Sequence, residues 1–372
     1  MKTNLTSSTA SRVDLQSTSA RPWLEWGVAL FSTWFVVGVY LDGWAHIHSL
    51  PEGFFTPWHA IIYSGFLGAA LVLVGTGFLA RHHGVPWYQA LPAGYGLSLL
   101  GVGLFLIAGL ADFFWHEVFG IEAGIEAIYS PPHLLLAAGG ALIASGPLRA
   151  AWYQSRTSQP ARWRAVLSLT LLLAIFSFFT AEFHPLVHPW ASVRFRPLAL
   201  TSAELGLPAT SVGGLGSQDM AGTIGIGSIL IQSGLLMALL LLMIRHWGAQ
   251  LPLGWLTFVF SLNAAGLSIL HTTPWVIPVA VVAGIVADGL YRWLQPSVQQ
   301  PKRFRLWSAF VPVVFYSLYF LALQVLGGVW WPIHVWAGGI VLAGVTGWLM
   351  SYLLVPIALP QHSRAYAMQK EV

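Results

Sequence analysis

Ten long apolar runs dominate this sequence and leave few folds open to it. Each holds about 20 residues, the length of helix that crosses a ~30 Å hydrocarbon layer. Only 8% of the 372 residues are charged and 56% are hydrophobic, which is too apolar for a soluble domain. The sequence therefore predicts an all-α, polytopic membrane protein of about ten transmembrane helices. The runs lie near residues 23–45, 57–80, 92–116, 132–153, 163–183, 221–244, 252–271, 274–293, 306–327 and 332–356.

The basic residues indicate how these helices are oriented. If successive loops alternate between the two sides of the membrane, 15 of the 17 Lys and Arg residues share one side, and only Arg194 and Arg196 lie on the other. Positive charge accumulates in cytoplasmic loops, so both termini are predicted to be cytoplasmic. The same alternation places nine of the thirteen histidines at outer helix ends. We expect a bacterial inner-membrane protein whose polar groups face the periplasm or the cell exterior.

The most informative polar residues lie where the first run ends and the second begins. Asp42 and His46 are four residues apart and share one helix face, and His59 follows at the start of the next run. Thr56 is suited to cap that second helix and Pro57 to occupy its first position. A histidine in the first turn lies beside the positive end of the helix dipole, which disfavours protonation and keeps a lone pair available.

The same pattern recurs in the next pair of runs. Asp112 and His116 are again four apart, and His133 follows Ser130 and Pro131 at a helix start. Each pair of runs thus offers two histidines and one carboxylate, a combination that binds non-haem iron, zinc or copper. Cysteine is absent, so any metal must be held by nitrogen and oxygen. The alternative for any one of these residues is a hydrogen-bonded group at the membrane interface.

Other polar residues at outer helix ends are candidates for supporting roles. Glu117, Glu182, His184 and His188 are predicted to be further ligands or to contact the ligands, with an interfacial position as the alternative. His271, beside a proline, is typical of an interfacial histidine.

The first set resembles a known family of copper proteins. Its pattern Asp-x3-His-x12-His, ending in Phe-Thr-Pro-x-His, is similar to the first copper-ligand set in the C subunit of particulate methane monooxygenase and ammonia monooxygenase. The second set resembles that subunit's second copper set, although Asp112 stands where the family has Asn and the last spacing is longer. The resemblance covers about residues 35–140. The five additional helices have no counterpart in it, and the chain contains nothing like the family's periplasmic copper-binding domain.

The resemblance implies a function. It implies copper at both sets, and a catalytic role for Asp42, His46 and His59 in oxidising a small apolar substrate that arrives from the lipid bilayer. It also implies partner membrane subunits and a quinol or other electron donor. Two alternatives stay open, a metal-ion (copper) binding or transport protein and a non-catalytic assembly subunit of a membrane complex. Nucleic acid is not expected as a partner, since the basic residues lie in short loops between apolar runs.

These observations divide the chain into five parts. Residues 1–21 are polar and Ser/Thr-rich and are predicted to be a disordered cytoplasmic tail. A five-helix metal-binding unit is predicted for 22–190, an outer loop for 191–220 and a second five-helix unit for 221–356. A short cytoplasmic tail, 357–372, completes the prediction.

Overall fold

The computed structural model describes residues 22–50, 53, 55–120, 124–154, 157–196 and 217–356. These residues form twelve α-helices, and no β-strand occurs among them. The helices are α1 (Pro22–Ile47), α2 (Pro57–His82), α3 (Gly96–Phe119), α4 (Glu126–Tyr129), α5 (Pro131–Ala144), α6 (Gly146–Tyr153), α7 (Gln159–Phe179), α8 (Ser217–Trp247), α9 (Trp255–His271), α10 (Val276–Leu294), α11 (Pro301–Val325) and α12 (Ile333–Leu354). The predicted tails and residues 197–216 of the predicted outer loop lie outside the described residues, so those predictions stay untested.

The described helices confirm an all-α polytopic membrane protein. Nine segments in this part of the chain are long and apolar enough to cross a membrane, with α5 and α6 together forming one of them. The remaining predicted span, 252–271, corresponds to α9, which has 17 residues. At about 1.5 Å per residue it is about 26 Å long, slightly short of a ~30 Å hydrocarbon layer. The cytoplasmic location of the termini and the outward orientation of the polar groups stay predictions.

Glycines bring α1 and α2 into backbone contact. A Cβ atom at Gly38 would lie 2.7 Å from the backbone nitrogen of Ile62, and one at Gly65 would lie 2.5 Å from that of Phe35. These separations are shorter than van der Waals contact, so any larger residue would force the helices apart. This close packing fixes the last turns of α1 against the first turn of α2.

Glycines also bring α3 and α5 into backbone contact. A Cβ atom at Gly101 would lie 2.7 Å from the carbonyl oxygen of Gly139, and one at Gly139 would lie 2.8 Å from the backbone nitrogen of Phe105. The Phe105 ring also stacks on Phe66 of α2 at 4.5 Å and meets Phe35 of α1 edge-on at 6.1 Å. The two helix pairs therefore lie side by side, with their carboxylates and histidines at the same end.

Helices α7 and α9 complete the surroundings of that end. The Tyr40 hydroxyl on α1 donates to the carbonyl oxygen of Ala174 on α7 at 2.8 Å. A Cβ atom at Gly43 would lie 2.6 Å from the ring of Phe178 on α7 and 3.0 Å from Leu270 on α9. The second half of the chain thus packs directly against the ends of α1 and α7 through α9.

A buried ion pair joins α1 to α7 near the start of each helix. Arg164 Nε donates to Glu25 Oε2 at 2.5 Å, and the two residues are 4% and 2% exposed. Because α1 and α7 run in the same direction, this pair lies at the end of the bundle opposite Asp42.

Candidate metal centre

The first predicted set is brought together by α1 and α2. Asp42 Oδ1 lies 3.1 Å from His59 Nε2, and Asp42 Oδ2 lies 3.9 Å from His46 Nε2. The carboxylate therefore faces one imidazole with each of its oxygens. The predicted sharing of a helix face by Asp42 and His46 is confirmed, and the turn between α1 and α2 returns His59 to the same point.

The start of α2 orients His59. Thr56 has the extended conformation of an N-cap residue, its Oγ1 accepts the backbone N–H of His59 at 3.4 Å, and Pro57 is the first helical residue, as predicted. His59 Nδ1 lies 3.0 Å from the carbonyl oxygen of Gly53. Because a carbonyl oxygen can only accept, Nδ1 carries the proton of this hydrogen bond. In the neutral ring, Nε2 then keeps a lone pair for a metal on the side of Asp42.

The second predicted set is more compact. Asp112 Oδ1 lies 3.1 Å from His133 Nε2 and 3.6 Å from His116 Nε2. One potential ligand atom from each residue lies within 4.8 Å of the others, as binding of a single ion requires. His116 Nδ1 lies 3.2 Å from the carbonyl oxygen of Gly120, so His116 is held by the same kind of bond as His59. Gly120 has φ +81°, a conformation that favours glycine, and ends α3 there.

The start of α5 differs in one detail from the prediction. Ser130 is the N-cap residue and Pro131 follows it, but the Ser130 hydroxyl makes no side-chain cap, so this part of the prediction is wrong. Pro132 leaves only the backbone N–H of His133 for a capping oxygen, and the Ser130 hydroxyl does not accept it.

In the second set all three ligand atoms lie as close together as those of one metal ion, whereas in the first set only Asp42 and His59 approach this closely. Asp42 Oδ1 and Asp112 Oδ1 are buried and lack a hydrogen-bond partner within the described ranges, although an imidazole nitrogen lies 3.1 Å from each. Two ligand atoms about 2.0–2.1 Å from a tetrahedral metal ion are about 3.3 Å apart. The separations of 3.1 Å in each set and 3.6 Å to His116 are close to this value, whereas the 3.9 Å between Asp42 and His46 is longer. A cation would also satisfy buried oxygens that are otherwise costly to desolvate.

Both sets open into one cavity. It has a volume of about 360 Å³ and is lined by Asp42, His59, Asp112 and His133 together with mostly apolar side chains. Tyr63, one turn after His59 on α2, also lines it, and its ring stacks on that of His59 at 5.8 Å. Tyr63 lies within electrostatic range of both carboxylates, so the two sets are neighbours. Its spacing of four from His59 is the sequence signal that could have identified it.

A third group of polar residues borders the same cavity. Glu182 and His271 line it, Glu182 Oε2 lies 3.2 Å from His188 Nε2, and the rings of His188 and His271 are 4.9 Å apart. The neighbouring His188 imidazole holds the pKa of the Glu182 carboxyl below its usual range, so Glu182 is anionic at neutral pH. His271, an interfacial histidine by sequence alone, belongs to this group because α9 ends beside α1.

The remaining two candidates lie away from this cavity. His184 is 5% exposed and lines a separate, small cavity. Its Nδ1 accepts the backbone N–H of Leu186 at 3.2 Å, and burial lowers the pKa of His184 to about 3. A neutral imidazole that accepts at Nδ1 carries its proton on Nε2 and has no lone pair left for a metal. Glu117 is exposed on α3 and does not line the cavity.

The fold and the site together define a class of protein. The chain is a multi-pass α-helical membrane protein with a candidate His/Asp metal-binding triad, Asp112, His116 and His133. A scan against protein-family models and searches of curated proteins and of solved structures each found no match to this chain.

Proposed function

We propose that this chain is a copper-dependent membrane oxidoreductase that binds copper at two neighbouring sets of ligands and oxidises a small apolar substrate with dioxygen. One observation carries the proposal, namely that two carboxylate and imidazole sets open into a single, mainly apolar cavity. The resemblance of Asp42, His46 and His59 to a copper-ligand pattern favours copper over iron or zinc. Ligands without sulfur also suit an ion that cycles through Cu(II).

The residues of the two sets have distinct tasks. Bound copper would supply one-electron redox chemistry and a binding place for dioxygen. Asp42 and Asp112 offset the positive charge of the bound ions, which lowers the cost of placing cations at the end of an apolar bundle. The Nδ1–H bonds of His59 and His116 to backbone carbonyl oxygens keep Nε2 directed at the metal.

The cavity limits the substrate. Its volume of about 360 Å³ is near the lower end of the roughly 300–1,000 Å³ typical of small-molecule sites. Its walls include Phe35, Phe105 and Ile175. The cavity therefore favours an apolar molecule that partitions into lipid, and such a bound molecule would exclude bulk water. Hydroxylation of such a substrate places one oxygen atom in a C–H bond and releases the other as water. A quinol supplies the two electrons and two protons, and becomes a quinone.

Metal analysis tests the binding part of this proposal. The full chain in lipid nanodiscs is loaded with Cu(II), washed and analysed for copper per protein, beside the double variants Asp42→Ala/His59→Ala and Asp112→Ala/His133→Ala. Each double variant should lose one copper. His334→Ala is the matched control, because His334 is an exposed histidine at the start of α12 and does not line the cavity. Equal copper in all four proteins would refute the two sites.

Oxygen consumption tests the catalytic part. Copper-loaded protein with a soluble quinol and a short-chain alkane should consume dioxygen and incorporate ¹⁸O from ¹⁸O₂ into the alcohol, and each double variant should lose this activity. Copper-loaded protein that consumes no oxygen, yet moves copper across the membrane of a sealed vesicle, would overturn the oxidoreductase and support transport. If neither set binds copper, the remaining function is that of a non-catalytic assembly subunit.

A further inference from the structure

Glu182, His188 and His271 form a cluster that belongs to neither central set. Glu182 lies in the short 3-10 helix Ala181–Phe183 that follows α7, His188 lies in the turn beyond it, and His271 is the last residue of α9. Glu182 Oε2 is 3.2 Å from His188 Nε2, and the His188 and His271 rings lie 4.9 Å apart at 61°. Three separate parts of the chain thus bring one carboxylate and two imidazoles to the rim of the cavity.

Of the two imidazoles, His188 faces the Glu182 carboxylate, and His271 presents a nitrogen that no neighbouring group satisfies. Nε2 of His271 is buried and has no hydrogen-bond partner in the parts of the chain that the structure describes. For His188, the nearest polar atom is Oε2 of Glu182, 3.2 Å from Nε2. A buried polar atom without a partner costs about 1–3 kcal/mol. The unpartnered His271 nitrogen, beside a carboxylate and a second imidazole, indicates a ligand that the three side chains share.

An ion pair between Glu182 and His188 does not account for the whole cluster. A salt bridge needs two groups, yet His271 lies beside the pair, and His48 lies within electrostatic range of His271. Protonation of several neighbouring imidazoles is disfavoured because like charges repel. One carboxylate and two imidazoles are instead a ligand set that suits a transition-metal cation.

We propose that Glu182, His188 and His271 form a third metal site, at the rim of the cavity, for a divalent transition-metal cation such as Cu²⁺ or Zn²⁺. Its ligand atoms are more widely spaced than those of Asp112, His116 and His133, so binding draws the side chains together. Glu182 has the freedom for this movement, since its side chain is 38% exposed. None of the three residues belongs to the two central sets, so this site stands independently of the proposed function.

The test uses the full chain in nanodiscs with Zn²⁺ or Cu²⁺ alone as the probe. Metal per protein is measured for wild type, Glu182→Gln/His271→Ala, His188→Ala and the control His334→Ala. The first two variants should each bind one ion fewer than wild type, and the control should bind as many as wild type. X-ray absorption of the ion lost in the variants should show two imidazole ligands. Unchanged metal content in both cluster variants, or an equal loss in the control, would overturn the third site.

A variant lacking the central sets separates this proposal from the previous one. In the chain carrying Asp42→Ala and Asp112→Ala, one Zn²⁺ should remain and should be lost on adding His188→Ala. If that chain binds no Zn²⁺ while it elutes as a single species and melts cooperatively, the third site is refuted. If it fails to fold, the single variant Glu182→Gln decides the question, and wild-type affinity for all ions would refute the site.

Discussion

Replacing Gly65 with alanine tests whether the contact between α1 and α2 positions the first metal set. The added Cβ atom would lie 2.5 Å from the backbone nitrogen and 2.8 Å from the Cα atom of Phe35. Ordinary van der Waals contact of a Cβ atom lies at 3.4–4 Å. Both neighbours are backbone atoms, so no side-chain rotation relieves the overlap. The helices must therefore separate by about 1 Å.

That displacement has a calculable effect at the metal set. Gly65 lies six residues after His59 on the same helix, so a rigid shift of α2 moves His59 away from Asp42. The distance between Asp42 Oδ1 and His59 Nε2, now 3.1 Å, would become about 4 Å, beyond the roughly 3.3 Å between two ligands of one ion. We expect copper affinity at the first set to fall about 10–100-fold. Overpacking should also lower the free energy of unfolding by about 1–3 kcal/mol.

Competition titration against a copper chelator measures this effect. It should be run on the Gly65→Ala variant in a chain that also carries Asp112→Ala, so that the first set is read without the second. Gly75→Ala is the matched control, because Gly75 is on the same helix and an added Cβ atom there meets nothing within 4 Å. Wild-type affinity in the Gly65 variant, or an equal loss in the Gly75 control, would refute the idea that helix contact sets the ligand distance.

Four further predictions follow from individual contacts. Thr56→Val removes the side-chain cap of α2 and should lower the unfolding free energy by about 1 kcal/mol, as measured by thermal unfolding. It should also lower copper affinity at the first set but not at the second, as measured by chelator competition. Arg164→Met leaves the Glu25 carboxylate buried without its partner and should destabilise the chain by about 3–5 kcal/mol; adding Glu25→Leu should restore most of the melting temperature, and no recovery would contradict this account. The pKa of His184 is lowered to about 3 in the folded protein. At a pH below the unfolded-state pKa of about 6.5, the unfolded state therefore binds more protons than the folded state. Stability then falls by about 1.4 kcal/mol per pH unit as the pH drops. His184→Asn should flatten that part of the plot of melting temperature against pH, and superimposable plots would contradict it. Substoichiometric copper should occupy the second set first, so that at half an equivalent the electron paramagnetic resonance spectrum of wild type matches that of Asp42→Ala rather than that of Asp112→Ala.

Local spacing predicted the parts of the site that lie within one pair of helices. A separation of four residues places Asp42 and His46 on one face of α1, and the residues Thr56 and Pro57 start α2 two residues before His59. Each of these features depends on helix periodicity or on the chemistry of a helix terminus. Such features are encoded within a few residues and can be read without knowing how the helices pack.

Contacts between distant parts of the chain could not be predicted in this way. Glu25 and Arg164 are separated by 139 residues, and their pairing depends on α1 and α7 lying side by side. In the sequence, His271 is one of several histidines at the ends of apolar runs. Only the packing of α9 against Gly43 and the end of α7 brings it to the cavity. Spacing within a helix contains no information about which helices become neighbours.

Geometry also distinguishes the two sets, which share the same Asp-x3-His spacing in the sequence. One oxygen of Asp112 faces both of its imidazoles, at 3.1 and 3.6 Å, whereas Asp42 reaches His46 only at 3.9 Å and with its other oxygen. The second set therefore needs the smaller rearrangement to hold an ion. The Asp112 side chain is also less exposed than that of Asp42, 11% against 19%. A carboxylate at the less exposed position costs more free energy until a cation neutralises it. The negative charge of Asp112 would therefore attract a metal ion to the second set more strongly than a neutral side chain at this position.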